Sequence, residues 1–224
     1  MGAAIFQTEF VRHCSSVMKL YKMIFLGLSL SLFACKSNRK AEVSAVAETV
    51  KDEGTVKIAE KFLIVPGRSA GEISLGDDVQ VVAKLLGKAD LSDAAMGKAW
   101  GIWYSRDSTR GKRNEVAIYS AYRDTSMRIK EVKQIRITAS QFKTKDGFST
   151  GRSLNDTQLK FSGMKQMASY LNEKQDTVVI YDSMQDGISF EFLNGKSIAL
   201  TIHPANQPLN NTYLTLHPHW KPIN

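Results

Sequence analysis

Cysteine is nearly missing from this chain. There are two, Cys14 and Cys35, and both precede the segment in which apolar and polar residues alternate. A disulfide framework or a cysteine zinc site is therefore excluded beyond residue 35. Histidine is almost as scarce: His13, His203, His217 and His219 are the whole set. No apolar run reaches the ~20 residues that a membrane-spanning helix needs. No phosphate-cradling loop is present either, because Gly147–Gly151 lacks a following Lys-Ser/Thr. Neither Ser153 nor Ser183 stands in a strained Gly-x-Ser-x-Gly elbow. The net charge is +8, yet basic and acidic residues are interleaved. The exceptions are Lys36, Arg39 and Lys40, and the loop with Arg106, Arg110, Lys112 and Arg113. Nucleic-acid binding calls for a basic stripe among exposed aromatics, which is lacking, so no nucleic-acid partner is expected.

What is present begins with an address. Met18-Lys-Leu-Tyr-Lys leads into the apolar run Met23–Phe33, which ends in Ala34-Cys35. A positive start, a short apolar stretch and a small residue at its end make a secretory signal over 18–34. Leu32-Phe33-Ala34-Cys35 resembles a bacterial lipobox. That resemblance implies cleavage before Cys35, with lipid on its sulfur and an acyl chain such as palmitate on its amine. An ordinary signal peptide with an incidental cysteine is the other reading. Residues 1–17 precede the signal and read as a mis-annotated extension, with translation starting at Met18. Residues 35–61 are polar and small, without a sustained apolar face, and read as a tether. Lys36 is not aspartate, which by similarity to the enterobacterial sorting rule favours the outer membrane, on its periplasmic side.

At 224 residues, with 43% hydrophobic and 23% charged residues, the chain suits one ordinary domain or two small ones. Phe62–Val65 is a β-branched run closed by Pro66-Gly67, a strand and a turn. Gly71-Glu-Ile-Ser-Leu-Gly76 then leads into Asp77-Asp78, either of which can cap a helix. Val79, Val82, Leu85 and Leu86 form one apolar face, and Gly87 stops the helix. Three strands follow, around 99–104, 115–122 and 132–138. The last alternates, with Val132, Gln134, Arg136 and Thr138 on one face and Lys133, Ile135 and Ile137 on the other.

A weaker echo starts at Gly147. Ser149 and Gly151 lie over Ser74 and Gly76, and Ser153 or Asn155 takes the capping place. Leu154, Leu159 and Phe161 supply the apolar positions. Three more strands are expected at 177–182, 188–193 and 197–202, with turns at Asp186-Gly187 and Asn194-Gly195. The expectation is an α+β fold of two similar helix-plus-antiparallel-sheet units in tandem, over 62–142 and 143–224, the second with a C-terminal tail. A single α+β domain with two similar helices is the alternative.

The phrase Gly71-x-Ile73-Ser74-Leu75-Gly76 … Leu85-Leu86-Gly87-Lys88-Ala89-Asp90 and the element order resemble the small lipoproteins of the outer-membrane β-barrel assembly machinery. The tandem form is similar to the β-lactamase-inhibitory-protein-like fold. The resemblance covers about 70–138, and 144–203 more loosely. It implies a non-catalytic protein-binding module of the cell envelope, without a particular partner.

The residues themselves offer few sites. Trp100, Trp103, Tyr104, Tyr119 and Tyr122 fall on two adjacent strands. They are candidates for a recognition surface, since Trp and Tyr are enriched at binding hot spots; the other reading puts most of them in the core. His203, His217 and His219 are considered as metal ligands. A site needs convergence of its ligands, however, and a tail strand ending at Pro218 explains His217 better, so no metal and no cofactor are expected. Asp182, Asp186 and Glu191 cluster at a hairpin, where Asp-Gly is turn chemistry. The expected function is a non-enzymatic, lipid-anchored envelope protein that binds or helps assemble another envelope protein. A lipid-anchored hydrolase or carbohydrate-binding enzyme is the rival.

Overall fold

A computed structural model of the chain describes residues 58–109, 111–210 and 216–223. The expected extension, signal peptide and Cys35 attachment site, and the tether up to residue 57, lie outside the described residues. From Glu60–Phe62, a single 3-10 turn, the elements run as follows. Strands β1 (Leu63–Val65), β2 (Ser69–Ala70) and β3 (Ile73–Ser74) lead to helix α1 (Val79–Leu86). A meander follows: β4 (Leu91–Ala95), β5 (Lys98–Thr109), β6 (Lys112–Tyr122) and β7 (Lys130–Ile137). After β8 (Lys143–Thr144) and helix α2 (Leu154–Lys160) comes a second meander: β9 (Lys165–Leu171), β10 (Thr177–Ser183), β11 (Ile188–Leu193) and β12 (Lys196–Ile202). The tail contributes β13 (Lys221–Pro222).

Two sheets result. Four short strands order as β3-β2-β1-β8, and nine as β13-β9-β10-β11-β12-β7-β6-β5-β4. The neighbours in the large sheet are antiparallel, whereas β1 and β8 run parallel. Helix and antiparallel sheet are both present as expected, but the body is mainly sheet. Four strands, not three, follow each helix. Leu91–Ala95 is a strand rather than part of a loop, and Lys165–Leu171 is a strand whose residues, Lys-Gln-Met-Ala-Ser-Tyr-Leu, carry no clean alternation. The tail strand expected to end at Pro218 is not found over 216–218. Strand pairing there is made by Lys221 and Pro222, against Leu171 and Tyr170.

The two meanders join at β7 and β12, where Ile135 faces Ile202, Arg136 faces Thr201 and Ile137 faces Leu200. Outward from the Arg136–Thr201 pair, the pairing on the two sides matches. β7 carries an extra residue, Lys133, between the partners of Tyr119 and Ser120. β12 carries one, Ile198, between the partners of Glu191 and Phe192. Each bulge lies three residues before the central pair. A bulge shifts the alternation by one. Val132 therefore turns inward with Ile135 and Ile137, instead of sharing a face with Gln134 and Arg136 as expected from strict alternation.

The helix starts match as well. Gly76 N–H donates to Val132 O, and Val132 N–H to Asp77 O; Gly151 N–H donates to Ser197 O, and Ser197 N–H to Arg152 O. Gly76 and Gly151 have φ of 86° and 90° with nothing near a would-be Cβ, so backbone conformation alone requires glycine there. Asp78 caps α1 by accepting from Gln80 N–H, and Ser153 caps α2 by accepting from Asp156 N–H. Each helix is thus fixed at its N-terminus to the last strand of its own meander.

The helices and the small sheet cover one face of the large sheet. Val82, Ile118, Val132, Ile135, Ile137, Phe148, Phe161, Phe190 and Ile202 belong to one core drawn from both meanders. Val82 is buried and Leu86 packs on this core, but Leu85 is 45% exposed. In α2, Leu154 packs inward, while Leu159, expected on the apolar face, is 76% exposed. A two-turn helix presents only a narrow stripe, and in α2 that stripe is completed by buried Thr157.

Candidate functional site

The far face of the large sheet carries the chemistry. Arg136, on this face of β7, is almost fully buried. Its Nε donates to Glu191 Oε1 at 2.5 Å and its Nη2 to Glu191 Oε2 at 2.8 Å, a bidentate pair; Nη1 donates to Glu115 Oε2 at 2.8 Å. Burial alone would raise the Glu191 carboxyl, but the Arg136 guanidinium overcomes this and holds it below its ordinary value. The tail crosses this face. Gln134 Nε2 donates to Asn210 O at 3.3 Å, and Leu209 N–H donates to Asp182 Oδ2 at 3.2 Å. His217 stacks on Trp220 at 3.8 Å between ring centroids. Burial, then the Arg136 charge, lowers the His217 pKa to about 4. Arg136, Glu191 and Glu115 make a cross-link across the face of the sheet, while His217 Nε2 is buried without a hydrogen-bond partner. The signal available in sequence was Glu191, a charge inside the apolar run Ile188–Leu193; nothing local marked Arg136 as its partner.

The five aromatics do not gather on one surface. Trp100 and Tyr119 are buried on the far face, with ring centroids 5.2 Å apart, beneath Leu216 of the tail. Trp103 points the other way, packs on the main core, and donates from Nε1 to Gly87 O at 3.0 Å, tying β5 to the end of α1. Tyr104 is half-buried, with the Arg113 guanidinium 4.5 Å from its ring centre. Tyr122 is 36% exposed, with Lys130 Nζ 5.0 Å from its ring centre.

The histidines do not converge. His203 is buried, Nε2 against Asp182 Oδ1 at 2.8 Å and Nδ1 against Pro204 O at 3.1 Å. His217 lies in the stack described above, and His219 is exposed. Among the described residues no three His, Cys, Asp or Glu side chains are placed to hold a metal ion. The hairpin carboxylates also separate: Asp182 serves His203 and Leu209, Asp186 accepts from Ser183 Oγ at 2.5 Å, and Glu191 pairs with Arg136.

The ends of the large sheet differ. The outer edge of β9 is covered by β13, with Ile223 N–H donating to Ser169 O at 2.9 Å. Trp220 and Leu209 sit on Tyr170, Val178 and Ile180 beside it. At the other end, among the described residues no strand pairs with the outer edge of β4, and all five of its residues are exposed. Beside β4 lies a cleft of about 190 Å³ lined by Asp93, Ala95, Met96, Lys98, Ala99, Trp100 and Tyr119. The Nε1–H of Trp100 is buried without an acceptor. The geometry offers main-chain pairing beside a largely apolar cleft bordered by Asp93 and Lys98. No protein-family model matches this chain, and no curated protein or solved structure matches it.

Proposed function

We propose that this chain is a non-enzymatic protein of the bacterial cell envelope, moored by lipid on Cys35, that binds or helps assemble another envelope protein. The observation that carries the reading is the contrast between the two ends of the sheet. One end is closed by the chain's own tail, and the other presents an exposed strand whose outer edge no strand among the described residues pairs, the kind of edge to which extended segments add. The lipobox-like Leu32–Cys35 and the polar tether agree with a body held near a membrane. The resemblance to the small lipoproteins of the β-barrel assembly machinery belongs to this proposal, as does placement on the periplasmic side of the outer membrane.

Two tandem units of common origin, 62–142 and 143–224, form part of the same reading. They are supported by the matching bulges at Lys133 and Ile198 and by the matching turns at Gly76 and Gly151.

Amine-reactive crosslinking in intact cells, followed by mass spectrometry, tests the function. Crosslinks from exposed Lys88 or Lys98 to one envelope protein are expected; the absence of any protein partner would overturn the reading. Mass analysis of the N-terminal peptide tests the anchor. A triacylated peptide starting at Cys35 is expected, and an abundant peptide spanning Phe6 to Arg12 would contradict both the signal and the start at Met18.

A further inference from the structure

The sheet's own registers align its two ends residue by residue. From the central Arg136–Thr201 pair, Gln134 corresponds to Ala199. Their partners Tyr119 and Glu191 correspond in turn, and so do the next partners, Trp100 and Ile180. Past the bulges, Lys98 corresponds to Val178. One strand further out, Asp93 opposite Trp100 corresponds to Ala168 opposite Ile180, and Ala95 opposite Lys98 to Tyr170 opposite Val178. Asp93, Ala95, Lys98 and Trp100 of the cleft beside β4 are therefore the counterparts of Ala168, Tyr170, Val178 and Ile180, which belong to the floor on which Trp220 and Leu209 sit beside β9. At the C-terminal end the hollow holds Trp220 and the strand edge is closed by Lys221 and Pro222. At the N-terminal end, among the described residues, Leu216 packs on Trp100 and Tyr119, and a cleft of about 190 Å³ remains beside β4.

We infer that the β4 edge is a docking site for an extended segment of a partner protein, bound antiparallel to β4 with an aromatic side chain in the cleft. The inference rests on the protein-binding reading above and specifies where and what the chain binds. The occupant's chemistry is taken from the chain's own tail, an aromatic anchor followed by a short strand. Met96 and Gly97, with φ of 50° and 79°, form a two-residue hairpin turn. The pair closing such a turn, Ala95 and Lys98, is hydrogen-bonded, so alternation directs the N–H and C=O groups of Ser92 and Ala94 away from β5. Those two residues carry the main-chain contacts, and Asp93, Ala95 and Lys98 border the anchor. Asp93 beside the cleft favours a basic residue near the anchor, the place that Lys221 holds in the tail.

The test uses the full chain and a synthetic peptide of residues 216–223, Leu-His-Pro-His-Trp-Lys-Pro-Ile. Amide hydrogen exchange is followed with and without peptide. The expected result is slowed exchange at Ser92 and Ala94, lost when the peptide tryptophan is replaced by glycine. Ala94→Pro removes an outward donor and is expected to abolish the protection. Ala95→Trp fills the cleft while leaving the edge intact, and is expected to do the same. An unchanged melting temperature identifies which variant is folded and so decisive. No protection at Ser92 and Ala94 up to the peptide's solubility limit would overturn the inference. So would protection confined to Tyr170 and Leu171, which would mean exchange with the chain's own tail. Protection of β4 that rises with protein concentration in the absence of peptide would also overturn it, because the occupant would then be a second copy. Crosslinks to an envelope protein made only from residues remote from β4 would sink this inference and leave the function reading standing.

Discussion

The two ends of the large sheet share a register and differ in what lies over them. Around β9 the floor is Tyr170, Val178 and Ile180, covered by Trp220 and Leu209, and the strand edge is paired. Around β4 the corresponding positions are Ala95, Lys98 and Trp100, and the edge is exposed. The difference lies in side chains at a few positions and in the route of one tail, not in the backbone plan. A sheet can thus keep one edge for internal closure and leave the equivalent edge open, provided the open one is short and carries charge. Asp93 in β4 and Lys98 beside it are charges of the kind that discourage indiscriminate edge pairing.

The largest expected effect breaks the link between the halves. Arg136→Met leaves Glu191 buried without its bidentate partner, and a loss of about 3–5 kcal/mol is expected in denaturant unfolding. Adding Glu191→Leu is expected to recover most of it, because the uncompensated charge goes too. If the double variant is as unstable as the single, the loss does not come from an uncompensated Glu191 charge.

Trp220→Ala is expected to cost about 3 kcal/mol, as a buried aromatic removed from its packing. Hydrogen exchange at Ser169 and Leu171 is expected to speed up, so that the β9 edge comes to behave like the β4 edge. Unchanged protection there would show that the tail does not close the sheet.

The tail should also respond to pH. The folded His217 value, about 4, lies below the ordinary histidine value of 6.5. The unfolded chain therefore takes up a proton in that window before the folded one does. Stability is present above the ordinary value and falls as pH drops from 6.5 toward 4, by on the order of 3 kcal/mol. Groups facing His217 from other elements are Arg136, Glu191, Glu173 and Lys112. His217→Phe is expected to flatten that slope in melts taken from pH 7 to 4. Glu191, whose folded value is lowered from 4.5, begins to lose its contribution only as pH falls through 4.5, so the slope between 6.5 and 4.5 reports on His217 and not on Glu191.

The smallest effect compares the helices. Asp78→Ala and Ser153→Ala each remove one cap and are expected to cost about 1 kcal/mol. Similar losses would agree with two equivalent units; a near-zero loss at one would separate them.

Much of this plan could be read from residue pattern. Gly76, Asp78 and Gly87 mark the limits of α1, and Asn194-Gly195 marks the last hairpin, because these residues act through their own backbone or the next turn. β9 could not be read, since its face is set by what packs on it. The inward turn of Val132 was hidden by the bulge at Lys133, which is a property of pairing with β6. The aromatic positions were legible as a group on two strands, but not their separation into Trp100 and Tyr119 on one face and Trp103 on the other with a buried donor bond. Arg136 could be placed only on the face opposite Ile135 and Ile137, because the strand carries no sign of the tail that covers it.

The sequence by itself determined the turns, the helix caps, the order of helix and meander and the scarcity of cysteine. Those depend on interactions spanning a few residues. Only the tertiary structure decided that both meanders form one sheet through Arg136 and Thr201, that Arg136 and Glu191 are buried together, and that one sheet edge is closed by the tail while its counterpart is left unpaired among the described residues. Those depend on pairings between residues tens of positions apart, and the free energy that selects them comes from desolvation and edge pairing that no local window contains.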